Sequence, residues 1–283
     1  MAELTNMQQG GKRTKGVTPT ASAGTLVSIV TVVYNGAATL ERTIQSVLAQ
    51  THQRIEYIII DGGSTDGTLD ILRRYDDRID FWQSANDNGI YDAMNKGIAQ
   101  CSGDWVGMIN ADDRYPADAV ALAMDGARTH ANASIVHGDI LIHYPNGTSK
   151  VKKAKLNGFL LKHWEMVLNH PSFFVRRSFY DGRPFSTAFR VGGDHHWTLR
   201  AWTENERMFH YIPFVLAHFS AGGASATIPL SKAMREGDAV SRDLGLGIWH
   251  LWSSRFVRIA LHFPAKAKLW FNQFLAPQNP KER

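Results

Sequence analysis

Cysteine is almost absent from this sequence. Cys101 is the only cysteine among 283 residues, which excludes an internal disulfide framework and a zinc site built from several thiolates. Any metal chemistry in this chain must therefore use oxygen and nitrogen ligands. A reducing compartment fits this composition.

Long apolar runs are also missing. No window reaches the roughly 18 to 20 consecutive apolar residues that a membrane-spanning helix needs, and the polar N-terminus lacks the apolar segment of a secretory signal. We therefore expect the protein to be made and kept in the cytoplasm. Residues 1–24 have no apolar periodicity, so we expect a flexible tail there.

Nucleic-acid-binding modules are not recognisable either, although the net charge is +5. Lysines and arginines do not form stripes interleaved with aromatic residues, so we expect no nucleic acid partner. The basic residues concentrate near the two ends, at residues 12–15 and 255–268. Basic ends beside aromatic residues suit an anionic membrane surface or substrate phosphates, and plain solubilising charge is the alternative.

What the sequence does contain is an alternation of short β-branched runs with helical patterns. This alternation predicts an α/β fold with a mostly parallel central sheet flanked by helices. Predicted strands cover residues 26–33, 55–60, 79–82, 105–109 and 134–139, and predicted helices cover residues 39–50, the segment around 69–72, and residues 90–100.

Polar turns follow three of these strands: Tyr34-Asn35, Asp61–Asp66 and Asn110–Asp113. Ligands of open parallel sheets bind at the carboxyl ends of the strands, so we expect the three turns to converge on one binding edge. Within them, the adjacent carboxylates of Asp112 and Asp113 repel each other unless a cation or several donors compensate them. Mg²⁺ or Mn²⁺ held together with substrate phosphates is the functional interpretation. A surface turn in which Asp113 caps the following helix is the alternative.

The turn after the second strand reads Asp61-Gly62-Gly63-Ser64-Thr65-Asp66-Gly67. Asp61 can accept hydrogen bonds from a base or a ribose, whereas Ser64, Thr65 and Asp66 are better explained as caps and first-turn residues of the next helix. The run lacks the Gly-Lys-Ser/Thr ending of a phosphate loop. It also lacks a Gly-x-Gly-x-x-Gly pattern, so a dehydrogenase has no support.

Four segments in order resemble the nucleotide-binding half of family 2 inverting glycosyltransferases, which have the GT-A fold. The third also resembles the branch that builds bacterial exopolysaccharide and O-antigen repeats. The segments are Val32-Val33-Tyr34-Asn35, residues 59–68 from Ile59 to Thr68, residues 87–97 from Asp87 to Gly97, and Asn110-Ala111-Asp112-Asp113.

The resemblance implies a donor site for a nucleoside diphosphate sugar, with UDP as the first candidate. It implies that Asp113 ligates Mg²⁺ or Mn²⁺ on the diphosphate and that Asp112 contacts the ribose. It also implies that Asp61 binds the nucleobase and that Tyr34 lies against the same nucleoside pocket. Three further residues would line the donor site: Asn88, Asp92 and Lys96.

An inverting transfer needs a carboxylate to take the proton of the acceptor hydroxyl. By resemblance, Asp194 occupies the position of this base; a plain N-cap of the helix that follows is the alternative. Gly193 and His195 depart from the family pattern at this point and leave the acceptor pocket open. Adjacent His195 and His196 point to different helix faces, which argues against a shared zinc ion.

Three histidines are candidates for contact with the acceptor or the diphosphate: His170, His195 and His218. For His170 a partly buried structural role is the alternative. Residues 218–225 resemble the loop that closes over the donor in relatives. The candidate acceptor is a saccharide or a lipid-linked saccharide.

The chain changes character from Ile248, where aromatic residues recur every three or four positions beside basic residues. Trp249, Trp252 and Phe256 begin this face, which continues to Phe263. A helix lying in the interface of an anionic membrane is predicted, so that the protein would be peripheral on the inner face of the cell membrane. A helix packed on the domain or a homodimer contact is the alternative.

The sequence thus predicts an inverting, metal-dependent glycosyltransferase of bacterial surface polysaccharide assembly. Its GT-A domain spans residues 25–225, with a donor half (25–113) and an acceptor half (114–225), followed by a C-terminal helical segment (226–283). A sugar-phosphate nucleotidyltransferase and a catalytically inactive membrane-associated scaffold are the alternatives.

Overall fold

A nine-stranded mixed sheet with helices on both faces forms the centre of the computed structural model, which describes residues 7–17, 24–154, 157–163, 166–222 and 230–257. The strands are β1 (Gln8–Gly10), β2 (Val27–Val33), β3 (Ile55–Asp61), β4 (Phe81–Ser84), β5 (Trp105–Met108), β6 (Ile135–His143), β7 (Ser149–Lys152), β8 (Phe174–Arg176) and β9 (Phe209–Ser220). The helices are α1 (Leu40–Leu48), α2 (Thr68–Arg74), α3 (Ile90–Gln100), α4 (Ala119–Thr129), α5 (Gly158–His163), α6 (Gly193–Glu204), α7 (Leu230–Asp243) and α8 (248–257).

The sheet runs in the order β1-β4-β3-β2-β5-β8-β6-β7, and β9 pairs with β6. Its centre, β4-β3-β2-β5, is parallel. The predicted α/β class with a mostly parallel central sheet is therefore confirmed. The antiparallel strand β8 joins this centre to β6, so one continuous sheet carries residues of both predicted halves.

Side chains of β2 alternate between two apolar cores, one on each face of the sheet. Val27 and Ile29 pack with α1, α2 and α4, whereas Val30 and Val32 pack with α3, α5 and α6. Burial on both faces explains why β2 and β3 are almost continuously apolar. This packing fixes the carboxyl ends of the parallel strands, where the predicted polar turns lie.

The N-terminal prediction needs correction for residues 7–17, which form β1 and a 3₁₀ helix over Lys12–Lys15 instead of an irregular tail. Backbone pairing with β4 and an ion pair between Arg13 and the buried Glu56 hold this segment. Neither contact requires apolar residues at regular intervals, so the order of this segment is not visible as a pattern in the sequence. Gly10 is required because a Cβ there would overlap the Trp82 ring and Asp76 Oδ1. Residues 1–6 and 18–23 lie outside the described residues.

Two further predictions shift in place. The strand predicted at residues 79–82 is β4, which begins two residues later. The segment from His218, predicted as a loop, begins as the last three residues of β9, because these residues pair with β6. Residues 223–225 of that predicted loop lie outside the described residues.

The C-terminal helix α8 packs on the domain through one face and exposes the other. On the inner face, Ser254 Oγ donates to the His163 carbonyl and Arg255 Nε donates to Asp238 Oδ2 at 2.9 Å. The outer face exposes 85% of Trp249 and 62% of Trp252. The predicted apolar stripe therefore exists as an exposed face over residues 248–257; its continuation from Ile259 lies outside the described residues. Across the described ranges, no helix combines the length and apolar character needed to span a bilayer.

Candidate active site

Hydrogen bonds hold the three polar turns at the carboxyl end of the sheet: the first two are bonded to each other, and the third is bonded to α1. Val33 at the end of β2 lies opposite Asp61 at the end of β3. The backbone of Asn35 donates to Ser64 Oγ at 2.7 Å, and Asn35 Oδ1 accepts from the Thr65 backbone at 2.9 Å. The third turn is fastened to α1, where Thr43 Oγ1 donates to the carbonyls of Ala111 and Asp113. Tyr34 is exposed at this edge.

Asp61 is fully buried and accepts hydrogen bonds from Ser64 and Ser84. Its Oδ2 accepts from the Ser64 backbone at 3.0 Å and from Ser84 Oγ at 2.6 Å, and its Oδ1 accepts from Ser64 Oγ at 2.5 Å. Asp61 therefore orders the turn, and its oxygens reach a base only if these serines reorient. The N-cap of α2 is Gly67, so neither Ser64 nor Thr65 caps this helix; Asp66, which precedes the cap, accepts from the Thr68 backbone at 3.1 Å.

The predicted donor residues of the third segment contact one another in α3 and the turn before it. Asp92 Oδ2 accepts from the Asn88 backbone and contacts Lys96 Nζ, both at 2.9 Å. Asp87 lies against Gly62, where a Cβ would approach its Oδ2 to 2.5 Å. Burial raises the pKa of Asp87, with further contributions from Asp92 and Asp61, against the Lys96 charge. Sequence reasoning missed Asp87, although it opens the segment that contains Asn88.

Asp113 is the most perturbed carboxylate of this edge. Its Oδ1 accepts from the Ser220 backbone at 2.9 Å, and its buried Oδ2 has no partner among the described residues. Burial, and then the neighbouring Asp112, raise the pKa of Asp113 to about 8, against the Ser220 hydrogen bond. Asp112 is half-buried, and burial raises its pKa as well. The alternative in which Asp113 caps a helix is wrong, because α4 begins at Ala119 with Asp118 as its N-cap.

An unpartnered, buried carboxylate oxygen fits a hard divalent cation, because such an ion replaces the missing hydrogen-bond donors. The described ranges contain no group of three His, Cys, Asp or Glu side chains able to hold a metal by themselves. A cation at this edge would therefore take one ligand from Asp113 and its other ligands from a substrate or water. Ser220, also missed by sequence reasoning, holds this turn from the end of β9 through Asp112 and Asp113.

Asp194 lies in the first turn of α6 and is half-buried. Its Oδ1 accepts from the His195 backbone at 2.7 Å and lies 3.3 Å from the hydroxyl of Tyr91 in α3. The N-cap of α6 is Gly192, so the N-cap role considered for Asp194 is wrong. Its Oδ2 has no hydrogen bond within the described residues, which leaves one oxygen to accept a proton.

Tyr91 explains why glycine precedes this aspartate. A Cβ on Gly193 would lie 2.6 Å from the buried Tyr91 ring, which stacks on Phe185. The Tyr91 hydroxyl also lies against the Val191 carbonyl. Burial, and then the charge of Asp194, raise the pKa of Tyr91, so it stays a hydrogen-bond donor.

The three candidate histidines occupy different places. His170 is buried beside Asp194, whose charge opposes the lowering of the His170 pKa by burial. His195 Nε2 lies 2.6 Å from the Leu161 carbonyl, so its ring is directed into the fold, and its contact with the acceptor stays a prediction. His218 lies in β9, where its Nδ1 is 3.2 Å from His143 Nε2. Burial lowers the His218 pKa, with His143 and Arg114 adding to the effect.

The fold and this edge together define a class: an α/β protein with a carboxylate-lined site at the ends of parallel strands and a second carboxylate, Asp194, on an adjacent helix. The sequence profile of the family described as "Glycosyl transferase family 2" matches residues 28–183. The chain belongs to this family and is a glycosyltransferase.

Known proteins give the same class. A PGL/p-HBAD biosynthesis glycosyltransferase of Mycobacterium bovis is 30% identical over 215 residues, 73% of this chain and 81% of the relative. The S. aureus TarS 1-349 structure in complex with UDP-GlcNAc has a TM-score of 0.60 at 16% identity, over 76% of this chain and 66% of TarS 1-349. The mannosyltransferase PcManGT from Pyrobaculum calidifontis, in complex with GDP-Man and Mn²⁺, has a TM-score of 0.58 at 17% identity, over 93% of this chain and 84% of PcManGT. At these identities the two structures show the fold, which is GT-A as predicted.

Proposed function

We propose that the protein transfers a sugar from a nucleoside diphosphate sugar to an acceptor hydroxyl with inversion, using Mg²⁺ or Mn²⁺. The observation that carries this proposal is the buried, unpartnered Oδ2 of Asp113 at the carboxyl edge of the sheet. The Mn²⁺ in the complex of PcManGT supports the metal. The UDP-GlcNAc complex of TarS supports UDP as the first base to test.

In this proposal each carboxylate has a separate task. Asp113 holds the cation, and Asp112 contacts the ribose. Asn88, Asp92 and Lys96 line the donor site beside Asp61 and Tyr34. When bound, the cation would offset negative charge on the leaving diphosphate.

Asp194 acts as the base. Its Oδ2 takes the proton of the acceptor hydroxyl while that oxygen forms a bond to the anomeric carbon and the bond from this carbon to the diphosphate breaks. Attack opposite the leaving group inverts the anomeric centre. The buried His170 is a candidate for contact with the acceptor near Asp194.

The donor is tested by a thermal-shift screen of UDP-, GDP- and dTDP-sugars with Mn²⁺, because a ligand that binds the folded state raises apparent stability. We expect a shift with one nucleotide class that disappears when EDTA replaces Mn²⁺. Hydrolysis of that donor is then measured for wild type and Asp113→Ala. If hydrolysis depends on the metal and Asp113→Ala abolishes it, an inactive scaffold is excluded. If the wild type shows neither a thermal shift with any donor nor donor hydrolysis, the proposal is contradicted.

For the acceptor we propose a saccharide or lipid-linked saccharide in bacterial surface polysaccharide assembly, with α8 lying on the anionic inner face of the membrane. Three observations support this location: the exposed Trp249 and Trp252, the basic residues that follow in the sequence up to Lys268, and the relative in PGL/p-HBAD biosynthesis. Tryptophan beside basic residues suits a membrane interface.

Vesicle co-sedimentation of the full chain tests this location. We expect binding to phosphatidylglycerol-containing vesicles that weakens with salt and is lost in Trp249→Ser/Trp252→Ser. Phe214→Ser, at an exposed aromatic residue of β9, is the control and should bind like wild type. A dimer that dissociates in the tryptophan variant, without vesicle binding, would instead make the face a homodimer contact.

A further inference from the structure

The loop that carries Asp194 is held by a residue far along the chain. Glu236 of α7 accepts two hydrogen bonds at a single oxygen: its Oε2 takes the backbone N–H of Val191 at 3.0 Å and that of Gly192 at 2.8 Å. These are the last two backbone donors before α6 begins at Gly193. Hydrogen bonds to an ionised acceptor are stronger and more directional than neutral ones.

Val191 is clamped from two sides. Glu236 holds its N–H, and the Tyr91 hydroxyl lies against its carbonyl. The same hydroxyl lies 3.3 Å from Asp194 Oδ1. The peptide before α6 and the carboxylate in its first turn are therefore oriented together, between α3 of the donor half and α7 of the C-terminal segment.

After Glu236, the helix α7 is itself fixed to two neighbouring helices. Asp243 Oδ2 lies 2.7 Å from Nε2 of His196 in α6, and Asp238 Oδ2 accepts from Arg255 of α8. Val240, one turn after Glu236, is buried in the core that also contains Tyr91 and Trp197. Glu236 thus acts from a rigid support, as residues that orient a catalytic group must.

We infer that Glu236 is a positioning residue for the transfer reaction: it fixes the Val191–Gly192 backbone and so directs Asp194 Oδ2 towards the acceptor. The inference rests on the proposed role of Asp194 as the base. It gives α7, which lies beyond the residues that the family profile matches, a direct part in the rate of the reaction. Small displacements of a catalytic group lower kcat strongly while leaving donor binding intact.

The test compares Glu236→Ala, which removes the acceptor oxygens, with Glu236→Gln, which keeps one amide oxygen for the two N–H groups. Asp243→Ala is the matched control, because it removes another polar contact between α6 and α7. The readout is release of nucleoside diphosphate, using the donor that stabilises the protein most in the screen above. Should Glu236→Ala fail to fold, Glu236→Asp takes its place, since it keeps the charge and shortens the reach.

We expect Glu236→Ala to lower kcat by about 10- to 100-fold, with the KM for donor unchanged within about twofold. Glu236→Gln should stay within about threefold of wild type, because a neutral oxygen still accepts both hydrogen bonds. Asp243→Ala should keep its kcat. Hydrogen–deuterium exchange gives a readout without turnover: the Val191 and Gly192 amides should exchange faster in Glu236→Ala and as in wild type in Glu236→Gln.

Wild-type kcat or unchanged amide exchange in Glu236→Ala would overturn the inference. So would an equal loss of kcat in Asp243→Ala, because the effect would then belong to helix docking in general. If Asp194→Asn has the kcat of wild type, Asp194 is not the base, and both the proposed function and this inference fail. If Asp194→Asn is inactive while Glu236→Ala is fully active, the proposed function stands and this inference alone fails.

Discussion

The proposed donor edge, formed by the turns after β2, β3 and β5, and the surroundings of Asp194 are built in different ways. At the donor edge, Asp61 ends a strand and finds its partner Ser64 three residues later. Asp194 depends on Tyr91, 103 residues before it, and on a loop held by Glu236. A parallel sheet brings strand-end residues together by its own geometry, whereas a group on a peripheral helix needs dedicated tertiary contacts. Substitutions on the two sides should therefore separate donor binding from turnover.

Asp194→Asn should have the largest effect on turnover. Removing the proton acceptor is expected to lower kcat by about 10²- to 10⁴-fold, while the Mn²⁺-dependent thermal shift with donor stays as in wild type. Nucleoside diphosphate release and the thermal shift are measured on the same preparations. A variant that loses the donor shift together with activity would remove the distinction between the two sides.

Asp113→Asn, unlike Asp194→Asn, should lose the metal-dependent donor shift together with turnover, and should also change metal-free stability. The folded-state pKa of Asp113 is raised from 3.8 to about 8. The folded protein therefore holds a proton that the unfolded chain releases, so the stability contribution is full below pH 3.8 and is lost as pH rises through about 8.

We expect the metal-free wild type to lose unfolding free energy across this pH range relative to Asp113→Asn. Because one pKa unit corresponds to about 1.4 kcal/mol, the difference at pH 9 should exceed about 2 kcal/mol. Urea unfolding in EDTA at pH 5, 7 and 9 measures it. The exposed Asp118 supplies the control, since Asp118→Asn should follow the wild-type curve. If the unfolding free energies of Asp113→Asn and wild type changed in parallel with pH, the pKa of Asp113 would not be raised in the folded state.

The sequence predicts the strands and the turns after them better than the contacts between distant segments, for a physical reason. Strand ends and the helices after them follow from local patterns. The helix α3, for example, begins and ends as predicted, at Ile90 and Gln100. The partner of Asp113 is Ser220, which no local pattern connects to it. The inward direction of His195 and the order of residues 7–17 likewise depend on contacts between distant segments.

Gly193→Ala tests a smaller effect beside Asp194. The family pattern more often has an acidic or bulky residue at this position, whereas this chain has glycine. The added Cβ would meet a buried ring at 2.6 Å, and overpacking of this kind typically costs about 1–3 kcal/mol. Gly192→Ala is the neighbouring control, since its Cβ would meet Glu236 at an ordinary 3.4 Å.

We therefore expect Gly193→Ala to lower both the free energy of unfolding and kcat, with Gly192→Ala close to wild type in both. Combining Gly193→Ala with Tyr91→Leu, which removes the ring, should restore part of the unfolding free energy but not kcat, because the hydroxyl beside Asp194 is lost. Urea unfolding and nucleoside diphosphate release on wild type, Gly193→Ala, Tyr91→Leu and the double variant measure this coupling. Equal stability of the two single glycine variants would mean that the Tyr91 ring does not impose glycine on the residue before the base.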